Sequence, residues 1–218
     1  MVRVAKVTRR PLDRDDLDRM NLPEDYRNVK LPGLPEVAGT RIRHYVGNLT
    51  SLFAQGIGLC LSGEPGVGKT SLASIVAREA RVAGFTVYFT SLWELREAVR
   101  CRTVFDPEQA VLDRARAVDL LVLDGLRPED AADPFFGKRP LEELIASRAA
   151  ALRVTILTTR MAFKDLDDAR GPWRTILQVG RMVAVTVQGK DLREESSRQM
   201  RAAVLGSSPA SAPKGEGR

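Results

Sequence analysis

Two stretches hold the residues best suited to chemistry: GEPGVGKT at residues 63–70 and LLVLDGLRPED at residues 120–130. In the first, Gly63, Gly66 and Gly68 let the backbone curl so that successive amide N–H groups point inward at phosphate oxygens. Glu64, Pro65, Val67 and Ser71 complete the candidate nucleotide-binding stretch. Lys69 supplies a mobile positive charge to the β- and γ-phosphates, and Thr70 offers a hydroxyl to Mg²⁺, a hard cation that prefers oxygen ligands. Asp124 closes the apolar run 120–123, where a buried parallel strand delivers its last residue to the ligand-binding edge of a sheet; it would hold Mg²⁺ through water. The expected cofactors are therefore ATP and Mg²⁺. The residue after Asp124 is Gly125, which can neither orient nor deprotonate an attacking water. Glu64, Glu129 and Asp130 are the candidate substitutes, so binding follows more directly than hydrolysis.

These residues need a strand before the glycine-rich loop and a helix after it. Apolar runs at 57–61, 86–89, 120–123, 154–157 and 182–187 are the expected strands, and the first four are separated by segments long enough for crossover helices. That pattern predicts an α/β fold of the P-loop NTPase class, with a five-stranded, mainly parallel sheet and helices on both faces. Leu72, Ile75, Val76, Ala80 and Ala83 recur at helical spacing behind the loop, so one face of that helix packs on the sheet. Asp191 and Glu194 have capping-box spacing ahead of a final helix.

Residues 1–35, with four prolines and an acidic patch at 13–18, read as an irregular lead-in. Residues 36–205 form the expected ATPase core, and the Gly, Ser and Pro content of 206–218 reads as a disordered tail. No apolar stretch approaches the roughly 20 residues of a membrane span. The expectation is a cytoplasmic protein without a membrane partner. Two cysteines and one histidine argue against a disulfide framework and a zinc site, and the net charge of +6 is compatible with a polyanionic partner.

The order of motifs resembles the DnaC/IstB-like group of AAA+ ATPases, which includes bacterial and phage helicase loaders and transposition helpers. The resemblance covers about residues 22–194 and rests on LPEDYRN, GEPGVGKTSLA, VYFTSLWELREAVR, AVDLLVLD, VTILTTRMAFKDL and GRMVAVTVQGKDLR. It implies Walker A roles for Lys69 and Thr70 and a Walker B role for Asp124. It also implies a sensor 1 region at 158–160, reading TTR where such proteins commonly read TTN. Arg181 corresponds to the arginine that reaches a neighbouring subunit's nucleotide, and Arg193 to the sensor 2 arginine; both stand with Lys69 and Asp124 as candidate catalytic residues. The implied partners are a replicative helicase or a transposase, single-stranded DNA, and further copies of the chain in a nucleotide-dependent homo-oligomer. For DNA, the candidate contacts are Arg96 and Arg100, four apart on one helical run, and Arg102 just beyond. The 35 or so residues ahead of the core are fewer than the helicase-gripping domain that loaders of this type commonly carry. The favoured expectation is a helicase loader and the next a transposition helper. A small-molecule kinase and a non-hydrolysing nucleotide-gated adaptor stand as readings of other classes.

Overall fold

The computed structural model describes residues 11–100, 107–127, 129–130, 138–166 and 174–193, with positions 197, 200, 201 and 204. Five strands, β1 (Gly58–Ser62), β2 (Val87–Ser91), β3 (Leu120–Leu126), β4 (Val154–Thr159) and β5 (Met182–Thr186), pair in the order β2-β3-β4-β1-β5. Every pairing is parallel. Strand alternation divides the core in two. Leu59, Leu61, Leu120, Val122, Val154 and Ile156 face one side with α2 (Glu36–Gly47), α3 (Leu49–Ala54) and α4 (Lys69–Val82). Cys60, Leu121, Leu123 and Leu157 face the other with α5 (Leu92–Arg100), α6 (Pro107–Ala117), α7 (Lys138–Ala150) and α9 (Arg174–Val179). A short α8 (Phe163–Leu166) follows β4. The central strands are buried on both faces, which explains why they read as continuous apolar runs.

Two boundaries differ from the sequence expectation. β3 does not stop before Asp124 but runs on to Leu126 through a register shift between Leu123 and Leu126. Gly125, at φ +84, supplies the left-handed backbone that such a bulge needs. The lead-in is not irregular throughout. Asp13 caps α1 (Arg14–Arg19) in a reciprocal capping box with Asp16, and a 3-10 turn follows at Glu24–Tyr26. Met20 and Leu22 are buried in the core, and Asp16 pairs with Arg81 of α4 at 2.8 Å. The chain at 20–21 is also stitched to β2, where the Phe89 amide donates to the Met20 carbonyl and Asn21 Nδ2 to the Phe89 carbonyl. The acidic patch seen in the sequence is thus a helix start that joins the N-terminal segment to the fold.

Candidate nucleotide site

Parallel strands place their carboxyl ends on one edge of the sheet, and the glycine-rich loop leaves β1 at that edge. Gly66, at φ +81, cannot be replaced without a collision, because a Cβ there would stand 1.8 Å from Asp191 Oδ1. Asp191 in turn accepts from the Arg193 amide at 2.8 Å, and the Leu192 amide donates to the Gly66 carbonyl at 3.0 Å. The expected cap is therefore made by Asp191 toward residue 193; Glu194 lies outside the described residues. These contacts bring the chain after β5 down onto the loop.

Behind the loop, Lys69 Nζ donates to the carbonyls of Gly63 at 2.8 Å and Glu64 at 2.6 Å, which aims the ammonium across the mouth of the loop. Burial lowers its pKa from the ordinary lysine value, Asp124 opposes that shift and Arg193 reinforces it. The Thr70 hydroxyl donates to Asp124 Oδ1 at 2.9 Å, and Thr158 Oγ1 donates to the same oxygen at 2.7 Å while accepting from the Gly125 amide at 2.9 Å. Thr158 is thereby a positioning residue for Asp124. A hydroxyl and a carboxylate meeting in this way form the oxygen set that a hard divalent cation accepts.

A cavity of about 970 Å³ collects Pro65, Gly66, Gly68, Lys69, Thr70, Ser71, Asp124, Arg160 and Arg193. Val67 is instead buried in the core, Glu64 contributes its carbonyl to Lys69, and Gly63 packs against the Val187 carbonyl. The cavity also takes in Tyr26, Lys30 and Arg127. Sequence reasoning missed Tyr26, which shares this cavity with Thr70 and Asp124. Burial first, and the charge of Asp124 second, raise its pKa. Its only sequence signal was the LPEDYRN stretch within the resemblance.

Arg181 is not in this cavity. It precedes β5 at the amino end of the sheet, and β5 at roughly 3.3 Å per residue puts it some 20 Å from the glycine-rich loop. Its Nη1 donates to the Gln55 carbonyl at 3.0 Å, and its backbone sits at φ +52, an uncommon conformation for a side-chain-bearing residue. Arg96 departs from expectation altogether: it is 9% exposed and its Nη2 donates to Asp130 Oδ1 at 2.6 Å. Helical spacing alone could not show that an acid 34 residues away takes it out of any DNA-facing surface. Arg102 and the side chain of Arg100 lie outside the described residues. On the same helix Trp93 is 61% exposed, an aromatic that the sequence reading did not single out.

A model of the IstB-like ATP binding protein family matches residues 44–177, more than half of the chain and all of the P-loop, β3 and β4. The chain belongs to this family. Lys69, Thr70 and Asp124 all lie within the residues matched to this IstB-like family. Among solved structures, DnaI is similar at 17% identity and TM-score 0.63, covering 78% of this chain and 96% of that one. The DnaC helicase loader is similar at 24% identity and TM-score 0.59, covering 76% and 100%. AMPPCP-bound DnaA from Aquifex aeolicus is similar at 16% identity and TM-score 0.58, covering 82% and 56%, so this chain spans about half of that one. At these identities the likeness is one of fold, the AAA+ α/β fold. No curated protein matches in sequence. Among the described residues, no helix is long and apolar enough to cross a membrane.

Proposed function

We propose that this IstB-like protein is a nucleotide-dependent loader that assembles on a replicative helicase and single-stranded DNA in the ATP state. The observation that carries the reading is the division of the nucleotide machinery between two ends of one subunit. Lys69, Thr70, Asp124 and Arg193 converge at one edge of the sheet, while Arg181 stands strained and exposed at the other. An arginine so placed serves a triphosphate only in a second copy, which joins ATP binding to head-to-tail assembly. Thr70 and Asp124 would hold Mg²⁺, which would supply charge neutralisation at the phosphates. The similarity in fold to the DnaC helicase loader supports a helicase as partner. The net charge of +6 supports a polyanion, bound through phosphates without sequence preference and weakening steeply with salt.

The IstB-like family match favours a second reading, a transposition helper that recruits a transposase to DNA. One experiment separates the two. The full chain, immobilised with Mg·ATP or Mg·ADP, is presented with the replicative helicase and with the transposases of its own organism. ATP-dependent retention of the helicase is expected. Retention of a transposase alone would replace the loader reading, and indifference to nucleotide would remove both.

A further inference from the structure

The bulge at Asp124–Gly125 leaves a gap at the point where an acid would face the phosphates: a Cβ on Gly125 would have nothing within 4 Å. Two carboxylates in or just after β3 and one after β5 are committed to other contacts. Asp124 is held by Thr70 and Thr158. Asp130 is 3% exposed and accepts from Arg96, from the Arg127 amide at 2.7 Å and from Arg127 Nη2 at 3.1 Å. Asp191 is packed against Gly66. Glu129 differs, because its side chain is 52% exposed and its described partners, Arg160 Nη2 at 2.5 Å and Arg127 Nη1 at 3.7 Å, are two arginines that line the nucleotide cavity.

We infer that Glu129 is the carboxylate that activates the attacking water, and that Arg160 gates it. The inference rests on the nucleotide-site reading above. Residues near Glu129 are held: Thr159 Oγ1 donates to the Leu126 carbonyl at 2.9 Å, and the Asp130 side chain pairs with the buried Arg96 at 2.6 Å. The Arg160–Glu129 pair itself is weakly held, because both side chains are about half exposed and solvent screens the pair. A γ-phosphate, with more charge and a geometry suited to the guanidinium fork, draws Arg160 away and leaves Glu129 facing the gap above Gly125. In the step itself, a water oxygen bonds to the γ-phosphorus as Glu129 accepts a proton from that water. The bond from the γ-phosphorus to the β,γ-bridging oxygen breaks, its electron pair stays with ADP, and inorganic phosphate leaves. Glu129 then returns its proton to solvent and re-pairs with Arg160. Arg127, Asp130 and Arg96 act through Glu129 as positioning residues, while Arg160 exchanges between Glu129 and the γ-phosphate.

The test is single-turnover hydrolysis of labelled ATP by the full chain with Mg²⁺ and single-stranded DNA, for wild type, Glu129→Gln and Glu129→Asp. Affinity for a fluorescent ATP analogue is measured in parallel. A general base contributes about 10² to 10⁴-fold, so Glu129→Gln is expected to slow hydrolysis at least 100-fold, with affinity held within about threefold. Glu129→Asp should retain an intermediate rate at unchanged affinity, which loss of a merely structural contact would not produce. A Glu129→Gln rate within threefold of wild type overturns the inference, and so does a wild type that binds the analogue but turns over no faster than the variant. Failure of wild type to bind the analogue would instead remove the nucleotide-site reading beneath it.

Discussion

Arg148 is the residue on which we expect the fold to depend most. Its side chain is wholly buried on α7 and donates to five backbone carbonyls, those of Ala115, Arg116, Val118, Asp119 and Val154, and to the Thr155 hydroxyl. One guanidinium thus closes the end of α6 and the starts of β3 and β4. Burial pulls its pKa down to about 9, so it remains charged at neutral pH. Replacing it with Met removes a buried charge but strands at least the Ala115 and Val154 carbonyls, whose bonds at 2.6 Å are fully buried. Each stranded acceptor costs roughly 1–3 kcal/mol. Allowing for the relief of desolvation, Arg148→Met should destabilise by about 3–5 kcal/mol, against a total stability on the order of 5–15 kcal/mol. For a domain of this size that is a fall in Tm of roughly 6–20 °C, read by thermal unfolding followed by circular dichroism. Arg148→Lys keeps the charge but has three donors for six acceptors and should fall between. A shift below about 2 °C in Arg148→Met would show that water satisfies these carbonyls and that the arginine is no brace. Nucleotide affinity of the folded variant should be unchanged, because Arg148 meets the sheet at the amino ends of β3 and β4, away from Asp124.

Lys69→Ala should weaken ATP binding by about 2–4 kcal/mol, roughly 30- to 1000-fold, with the fold intact, as titration with a fluorescent analogue would show. In wild type the affinity should fall as pH rises through the lowered pKa of Lys69, at a pH below the ordinary lysine value of 10.5; loss only above that value would contradict the burial argument. Gly66→Ala should weaken nucleotide binding, since alanine is strained at this left-handed backbone position and its Cβ would displace the Asp191 carboxylate; normal binding would mean that the loop and Asp191 absorb the change. Arg181→Ala should leave ATP affinity of the isolated subunit within about threefold and lower ATP-dependent assembly, measured by sedimentation. Mixing with Lys69→Ala subunits should restore activity in part, whereas an equal loss of affinity in the monomer would place Arg181 beside its own nucleotide.

The strands were legible because double-sided burial leaves apolar runs that no surface helix shows, and each expected run starts within one residue of an observed strand. The loop and Asp124 were legible because local spacing sets them at the ends of apolar runs, whereas the 158–160 region came into view only through the family resemblance. What the sequence did not show depends on distant partners. Arg96 meets Asp130 through the pairing of β2 with β3, so its helical spacing pointed to a surface that it does not occupy. The short α1 is held by Asp16 against Arg81, 65 residues on, and prolines around it masked a six-residue helix. Tyr26 lines the cavity with Thr70 from a segment anchored by the buried Met20 and Leu22, contacts that local spacing does not reveal.

Lys69 and Arg181 stand at opposite ends of the same sheet, and if Arg181 serves the nucleotide of the next copy, as proposed above, the number of neighbours becomes a quantity the molecule can register. A pair of copies joined head to tail completes one site and leaves one cradle without an arginine and one arginine without a cradle. An open row completes one fewer site than it has members, so the completed share climbs from half in a pair toward unity in a long row. Only closure into a ring leaves no unmatched end. Turnover per subunit, if Arg181 acts in the next copy, would then report length and closure, and dilution would silence it without loosening ATP from any single chain.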